Sequence, residues 1–284
     1  MATYDHIGIT TQMGVQRVLQ YGTYLPEPLK YAAGNAFAKL QHLRGKNYVE
    51  KSWEGHCLRF GYWDRVTLGV ANRSVADGMI GHEMVPIENL RVSNSRDAIL
   101  DIGAHMGIYT VILAHLNSDH RIHAFEPDSY NINILRRNIK LNNFEGNRIN
   151  AHQAVVSDSS GTTDFYTDPS ATGTTSHTVQ PTNSHSSHKR QSVSSIKCSK
   201  FCSEHEITRP WVKVDAEGVE LKILQDLLSS DQIESVSGFI ELHLNRKDVS
   251  RRKFRKIMDN NGYEYTEVKN KLEETNPGYL IKPE

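Results

Sequence analysis

The stretch Ala98-Ile-Leu-Asp-Ile-Gly-Ala-His-Met-Gly107 joins a short apolar run to an acid and two glycines four residues apart. The apolar run ends too soon for a helix, whereas apolar residues return with helical spacing from Ile108 to Leu116. A strand, a glycine turn and a helix in this order open a nucleotide-binding α/β domain. Gly103 and Gly107 permit positive φ angles and a close backbone approach, so the first amide groups of the helix can face an anionic group.

The spacing of the glycines indicates which cofactor the turn would bind. A dinucleotide-binding turn reads Gly-x-Gly-x-x-Gly, but His105 stands at its second glycine position, where a pyrophosphate would meet a side chain. About twenty residues further on, Arg121-Ile-His-Ala-Phe-Glu-Pro127 predicts a second strand that ends in Glu126, an acid placed to accept both hydroxyls of a ribose. With Asp101 on the first strand and Glu126 on the second, the sequence predicts S-adenosylmethionine as the cofactor rather than NAD.

The expected cofactor contacts come from the ends of successive strands. A third strand over Ala151 to Val156 would end at Ser157-Asp158, where the adenine edge would lie. The predicted cofactor-binding residues are Asp101, Gly103, His105, Gly107, Glu126, Pro127, Ser157, Asp158 and Asp215.

The composition limits the partners and the compartment. The 284 residues contain 33 Lys and Arg against 33 Asp and Glu, so the overall charge gives no reason to expect nucleic acid or an acidic membrane as partner. The first residues lack the pattern of a signal peptide, and no apolar run approaches the ~18 residues of a membrane span. Three cysteines suit a reducing compartment. We therefore predict a cytoplasmic protein without a transmembrane segment, and its acceptor has to be argued from local motifs.

The chain divides into three parts. Residues 1–46 form a helical extension in this interpretation, and residues 47–95 form antiparallel strands followed by a short helix over Val75 to Met84. Residues 96–284 form the cofactor-binding domain, which contains a flexible Ser-, Thr- and His-rich loop at 168–195. One face of the extension's helix would carry Leu29, Ala33, Ala36, Leu40 and Leu43.

Strands and helices alternate regularly through the cofactor-binding domain. The fourth and fifth strands are expected at Trp211 to Asp215 and Gly238 to His243, and a terminal hairpin at Tyr263 to Val268 and Tyr279 to Ile281. This pattern predicts a mostly parallel α/β sheet with helices on both faces and an antiparallel C-terminal edge.

The chemistry is expected at Val212-Lys-Val-Asp-Ala-Glu-Gly-Val-Glu220, where a strand ends and a helix begins. Lys213 and Asp215 are two residues apart and share a strand face, and buried ionisable groups in an apolar strand are costly unless they have a task or a partner. Glu217 lies in the turn. Glu220 falls in the first helical turn, where the helix dipole alone explains an acid as well as a functional role does.

The next strand places Glu241 and His243 on a common face. Methyl transfer to a hydroxyl requires in-line attack on the sulfonium methyl group and a base that takes the proton. We nominate His243 as this base and Glu241 as the residue that orients it. Asp215 is the alternative base or binds a substrate hydroxyl. The predicted catalytic residues are His243, Asp215, Glu241, Lys213 and Glu217.

These residues together resemble the FkbM-type S-adenosylmethionine-dependent methyltransferases, from about Asn47 to His243. The Lys-x-Asp-x-Glu-Gly-x-Glu element is the most specific part of the resemblance. The matching motifs are Asp101 to Gly107, Phe125 to Pro127, Asn138 with Asn142, Lys213 to Glu220 and Glu241 to His243.

The resemblance implies a class I, Rossmann-like methyltransferase fold with a seven-stranded sheet. It also implies O-methylation of sugars, other polyhydroxylated metabolites or glycan- and lipid-linked acceptors. Two positions depart from the family pattern: His105 replaces a usual Asn, and Ile196 to Cys202 replaces a Leu-Asp-Asp-like segment. Any role of the two acids in the family's Leu-Asp-Asp-like segment is therefore not transferred to this chain.

Three other readings compete. A nucleic-acid methyltransferase is disfavoured because the acids of Asp215-Ala-Glu-Gly218 would repel phosphate, and a nicotinamide oxidoreductase is disfavoured by the glycine spacing. A non-catalytic protein that kept the fold is the third, because one α/β fold serves many chemistries. Cys198, Cys202 and His205 match no common zinc pattern, so the sequence predicts no metal.

Overall fold

The structure is a computed structural model of the 284-residue chain. It describes residues 35–36, 38–43, 45, 47–53, 56–62, 71, 75–76, 79–80, 85–144, 148–167, 189–268 and 276–284. None of the helices formed by these residues is long and apolar enough to cross a lipid bilayer.

A central seven-stranded sheet positions the predicted motifs. Its strands run in the spatial order β14-β15-β13-β12-β6-β7-β8. The strands from β13 to β8 pair in parallel, and β15 pairs antiparallel with both β13 and β14. The bounds are β6 Ala98–Ile102, β7 Arg121–Phe125, β8 Ile149–His152, β12 Pro210–Val214, β13 Ser237–Glu241, β14 Tyr263–Val268 and β15 Gly278–Pro283.

Helices join the parallel strands and cover both faces of the sheet. Their bounds are α1 Ile108–Leu116, α2 Ser129–Leu141, α3 Cys198–Glu204, α4 Glu220–Leu228 and α5 Arg251–Asn260. Successive residues of β6 belong to different apolar clusters, because Leu100 packs in the cluster of α4 and α5 whereas Ile99 packs in that of α1. The predicted α/β class and its antiparallel edge are therefore confirmed. The chain adds strands on one side of β6 and then, from β12 onward, on the other side, so the strand order reverses between β6 and β12. Ligands of open α/β sheets bind at such a reversal.

Smaller sheets surround the central one. A hairpin joins β1 Tyr48–Trp53 to β2 His56–Gly61, and short strands follow as β3 Val75–Ala76, β4 Met79–Ile80 and β5 Val85–Pro86. The helix predicted over Val75 to Met84 is therefore wrong. The sequence between β3 and β4 is Asp-Gly, which favours a two-residue hairpin loop and outweighs the apolar spacing.

The third sheet corrects two further predictions. It contains β9 Val155–Ser157, β10 Gly161–Thr167 and β11 Lys189–Lys197 in the order β10-β11-β9. The predicted third strand over 151–156 is thus two strands in different sheets, β8 and β9. Residues 189–195 of the predicted flexible loop are part of β11, because their backbone pairs with β10 although the side chains are mostly polar, and β9 pairs with the end of the strand at 195–197. The remainder of that loop, 168–188, lies outside the described residues.

Asn138 in α2 and Asn142 directly after the helix fasten the β1–β2 hairpin to the cofactor-binding domain. Asn138 accepts a hydrogen bond from the amide of Gly61 at 2.5 Å and donates one to the carbonyl of Met106 at 2.7 Å. Asn142 accepts from the amide of Arg59 at 2.8 Å and donates to the carbonyl of the same residue at 2.7 Å. The hairpin is therefore held against the helix by side chains that imitate strand pairing.

The N-terminal helix packs through a different face from the predicted one. Residues 38–43 are helical, and Ala38 and Gln41 are buried, whereas Leu40 and Leu43 are 44% and 80% exposed. Ala38 contacts the body of the protein beside Tyr62. The predicted apolar stripe is therefore wrong at its C-terminal end, and its members Leu29 and Ala33 lie outside the described residues.

Candidate active site

The turn between β6 and α1 requires both of its glycines for packing. Gly103 has a φ of 76°, and a Cβ atom there would lie 1.8 Å from the carbonyl oxygen of Asp215. Gly107 has a φ of 81°, and its Cβ would lie 2.3 Å from a methyl group of Leu135. The glycines bring the end of β6 against the end of β12 and against α2. Their first role is thus to let the end of β6 approach the end of β12 and α2 closely.

Glu126 lies directly after β7 and is held by two backbone amides. Its Oε2 accepts a hydrogen bond from the amide of His105 at 2.9 Å, and its Oε1 accepts one from the amide of Asp128 at 2.9 Å. The residue is 5% exposed. Burial raises the pKa of Glu126 to about 7, although the two amide hydrogen bonds oppose the shift. A carboxylate fixed in this way keeps lone pairs for the two hydroxyls of a ribose.

The backbone of His105 contacts Glu126, whereas the predicted contact of His105 with the cofactor stays a prediction. His105 has a φ of 51°, and its amide is the group that donates to Glu126. Asn, Asp and His tolerate this left-handed conformation better than other residues with a side chain. The replacement of the family's usual Asn by His therefore preserves the turn.

Asp101 supports the turn from below. It is fully buried, and its Oδ2 accepts a 2.5 Å hydrogen bond from the hydroxyl of Thr110 in α1. Burial raises the pKa of Asp101, while the charge of Lys213 and the Thr110 hydrogen bond lower it. A carboxylate with no exposed surface cannot touch a bound molecule without moving. Asp101 thus supports the turn, and its predicted direct contact with the cofactor stays a prediction.

The other predicted cofactor residues are less closely tied to Glu126. Pro127 directly follows Glu126 and is half-buried. Ser157 ends β9 in the neighbouring sheet, where its hydroxyl donates to Asp158 at 3.0 Å, and Asp158 is exposed. The assignment of Ser157 and Asp158 to the adenine stays a prediction.

Lys213 joins the ends of β6 and β12. Its buried ammonium donates to the carbonyl of Gly103 at 2.9 Å and to Oδ2 of Asp215 at 3.1 Å. The same nitrogen lies 3.9 Å from Oδ1 of Asp101 and 5.0 Å from the ring centroid of Tyr109. One buried cation therefore compensates two acids and fixes the turn on which Glu126 depends.

We expect Lys213→Met to lower the free energy of unfolding by about 3 kcal/mol, because it leaves the buried Asp101 and the half-buried Asp215 without their cation. Urea denaturation at pH 7 measures the change. Lys140→Met, at an exposed position of α2, is the matched control and should change stability little. A loss below about 1 kcal/mol for Lys213→Met would contradict the structural role of the ammonium.

His243 lies at the centre of a group of carboxylates. Its Nδ1 lies 2.6 Å from Oε1 of Glu220, and its Nε2 lies 3.6 Å from Oδ1 of Asp215, 3.6 Å from Oε1 of Glu217 and 4.0 Å from Oε1 of Glu241. Burial lowers the pKa of His243, but the hydrogen bond to Glu220 and the charges of Glu217 and Asp215 outweigh it and raise the pKa to about 10.

Glu220 therefore orients His243, and the expectation that Glu241 does so is corrected. Glu220 is fully buried, and its Oε1 also accepts the amide hydrogen bond of Gly218 at 2.9 Å. Strand β13 ends at Glu241, so the alternation that would place His243 on the same face stops before it. Glu241 instead accepts a hydrogen bond from the amide of Asn276 at 3.3 Å.

Glu217 occupies a strained turn and is fixed by an arginine. Its φ is 51°, and its Oε2 accepts a 2.6 Å hydrogen bond from Arg246. Burial raises the pKa of Glu217, while the charge of His243 and the hydrogen bond from Arg246 lower it. Residues with a side chain adopt this conformation at a cost, and such positions concentrate at functional sites. Its carboxylate is 22% exposed, so it is accessible from the cleft.

The sequence analysis missed two residues of this site. Arg246 was not considered, and only its spacing of three residues from His243 in the loop after β13 marked it in the sequence. Glu220 was treated as a helix-dipole residue as readily as a functional one, because its contact with His243 joins two segments that are distant in the chain. The buried Cys198 and Cys202 belong to the apolar cluster around α3.

Several solved structures are similar to the chain. They include TYW2 of M. jannaschii in complex with AdoMet, which is 12% identical with a TM-score of 0.43 over 83% of this chain and 84% of that one. TYW2 of P. horikoshii in complex with MeSAdo is 12% identical with a TM-score of 0.44 over 95% and 97%. Precorrin-6y C5,15-methyltransferase of Geobacter metallireducens is 14% identical with a TM-score of 0.37 over 69% and 83%. No curated protein gives a significant match.

A match to a protein-family model gives evidence beyond the fold and the site. The model of the methyltransferase FkbM domain matches residues 101–265, from the acid of β6 to the C-terminal hairpin, and thus more than half of the chain. The matched segment includes the glycine turn, Glu126, Lys213 and the carboxylates around His243. The chain therefore belongs to the family of proteins with a methyltransferase FkbM domain.

Proposed function

We propose that the protein is an O-methyltransferase that methylates a hydroxyl or carboxylate of a carbohydrate-like small molecule or glycoconjugate. S-adenosylmethionine, the cofactor, supplies an electrophilic methyl group when it is bound. The observation that carries the proposal is the junction of two sites: Lys213 links the turn that presents Glu126 to the carboxylates around His243.

The residues on the cofactor side fit an adenosyl ligand. Glu126 has both oxygens fixed by backbone amides, so no rearrangement is required before it accepts hydrogen bonds from a ribose. The turn is short and contains the side chain of His105 at the position where a dinucleotide would need a glycine. Glu126 would hold the ribose, and Asp101 and Lys213 would hold the turn.

The residues on the acceptor side fit a hydroxyl group. Asp215, Glu217 and Glu241 accept hydrogen bonds from hydroxyls, and their negative charge repels the phosphates of a nucleic acid. We assign Glu217 as the proton acceptor, because its carboxylate is accessible and Arg246 holds it 3.6 Å from Nε2 of His243. His243 is buried and fixed by Glu220, and Asp215 binds the acceptor hydroxyl. This assignment replaces the sequence-based nomination of His243.

A methyl-transfer assay with methyl-labelled S-adenosylmethionine tests the proposal. We expect label in neutral sugars or in uronic acids but not in tRNA. Treatment with alkali separates the two chemistries, because a methyl ester is hydrolysed whereas a methyl ether survives. Label in tRNA alone would contradict the acceptor class, and cofactor binding without label in any acceptor would favour a non-catalytic role. Glu126→Ala serves as the variant with impaired cofactor binding.

A further inference from the structure

The environment of His243 has the arrangement of a metal ligand. In metal sites, a ligating histidine commonly donates its second ring nitrogen to a carboxylate, which fixes the ring and leaves the other nitrogen for the ion. Glu220, fully buried, contacts Nδ1 of His243 at 2.6 Å and thus supplies this partner. The other nitrogen, Nε2, points to the centre of the carboxylate group.

The distances around Nε2 are too long for direct hydrogen bonds and suitable for a bridging ion. Oxygens of Asp215 and Glu217 lie 3.6 Å from Nε2, and one of Glu241 lies 4.0 Å away. An N–H···O hydrogen bond measures about 2.7–3.2 Å. Ligand atoms around an octahedral ion with bonds of about 2.1 Å lie about 3.0 to 4.2 Å from one another. One ligand atom each from Asp215, Glu241 and His243 lies within 4.8 Å of the others, so small side-chain rotations close the site.

The charges of the cluster also call for a cation. Asp215, Glu217, Glu220 and Glu241 surround a single imidazole. Lys213 pairs with Asp215, and Arg246 pairs with Glu217. Buried carboxylates are stable when they are paired or coordinate a metal.

We propose that Asp215, Glu241 and His243 bind a divalent metal ion, Mn²⁺, through one carboxylate oxygen each and Nε2. Two carboxylates favour a hard ion, and one imidazole favours Mn²⁺ over Mg²⁺. The three side chains leave coordination positions open, as catalytic metal sites do. The sequence analysis predicted no metal because it considered the cysteines and loop histidines and not the carboxylates at the strand ends.

This inference rests on the proposed function and names a class of acceptor for it. An ion with open positions binds two adjacent hydroxyls, so the acceptor is a vicinal diol of a sugar or polyol. Coordination lowers the pKa of the bound hydroxyl. Its proton passes to Glu217, the oxygen forms a bond to the methyl carbon, and the carbon–sulfur bond breaks with the electron pair remaining on sulfur.

Titration of chelator-treated, dialysed protein with Mn²⁺ alone tests the site without any acceptor. We expect saturable binding of one ion per chain, weakened at least about tenfold in Asp215→Asn and in Glu241→Gln. Glu234→Gln, at an exposed position before β13, is the matched control and should bind as the parent protein does. A native far-UV circular dichroism spectrum and cooperative thermal unfolding of each variant establish that the fold is intact.

Two outcomes would overturn the metal site: no binding of Mn²⁺ to the parent protein, or equal binding by the parent protein and both ligand variants. Full methyl transfer in the presence of excess chelator would overturn its catalytic role and leave the methyltransferase assignment standing. Conversely, ligand-dependent Mn²⁺ binding without methyl transfer to any diol would support the site and contradict the proposed function.

Discussion

Replacing Glu126 by alanine is expected to weaken the binding of S-adenosylmethionine by about 100- to 10,000-fold, because two charge-assisted hydrogen bonds of roughly 1.5–3 kcal/mol each are lost. Isothermal titration with S-adenosylmethionine and S-adenosylhomocysteine measures the loss for both ligands. Glu234→Ala, the same change at an exposed position, should bind both ligands as the parent protein does.

The alanine variant also leaves the amides of His105 and Asp128 without their acceptor, so its thermal unfolding must be followed in parallel. Glu126→Gln is the second variant, because its amide oxygen keeps one of these acceptors while the charge is removed. A folded Glu126→Gln protein that binds the cofactor as tightly as the parent would disprove the ribose assignment.

The pH dependence of cofactor affinity provides a further check on Glu126. Burial raises its pKa to about 7, and the ribose hydroxyls bind the ionised form. The affinity should therefore be full above pH 7 and fall as the pH drops below it, by about tenfold per unit where the carboxyl is mostly protonated. Glu126→Gln should lack this dependence. If the affinity of the parent protein for the cofactor is constant from pH 5.5 to 7.5, the assignment of Glu126 to the ribose is contradicted.

The elements that carry the cofactor site were predictable because their signals are local. The glycine turn, the acid after β7 and the Lys213 to Glu220 segment each lie within a few residues, and strand ends at one edge of a parallel sheet meet by topology. The mostly parallel sheet follows from the alternation of strand and helix, and its antiparallel edge follows from the terminal hairpin. These features need no information about distant contacts.

The features that the sequence did not reveal depend on distant contacts. Polar residues of β11 form a strand because their backbone pairs with β10, which composition does not encode. The partner of His243 is Glu220, which lies across the cleft on α4. The proposed metal donors come from the loop after β12, where Asp215 lies, and from the end of β13 and the residues after it, where Glu241 and His243 lie, so no single spacing pattern indicates them.

Replacing Glu217 by glutamine is expected to lower kcat by about 100- to 10,000-fold, which is the usual effect of removing a general base. Glutamine keeps the size of the side chain and an oxygen for Arg246, so the turn and cofactor affinity should be preserved. Steady-state kinetics on the best acceptor measures the effect, with Glu234→Gln as the matched exposed control.

The division between kcat and KM distinguishes proton transfer from substrate binding. A base acts in the transition state, so Glu217→Gln should lower kcat and leave the KM of the acceptor nearly unchanged, whereas a group that only binds the acceptor would raise KM. Arg246 acts through Glu217, so Arg246→Met should cost less activity, and adding it to Glu217→Gln should cost little more. Additive losses in the double variant would show that Arg246 serves the reaction independently of Glu217. If the single variant Glu217→Gln keeps a kcat within about threefold of the parent value, Glu217 is not the base.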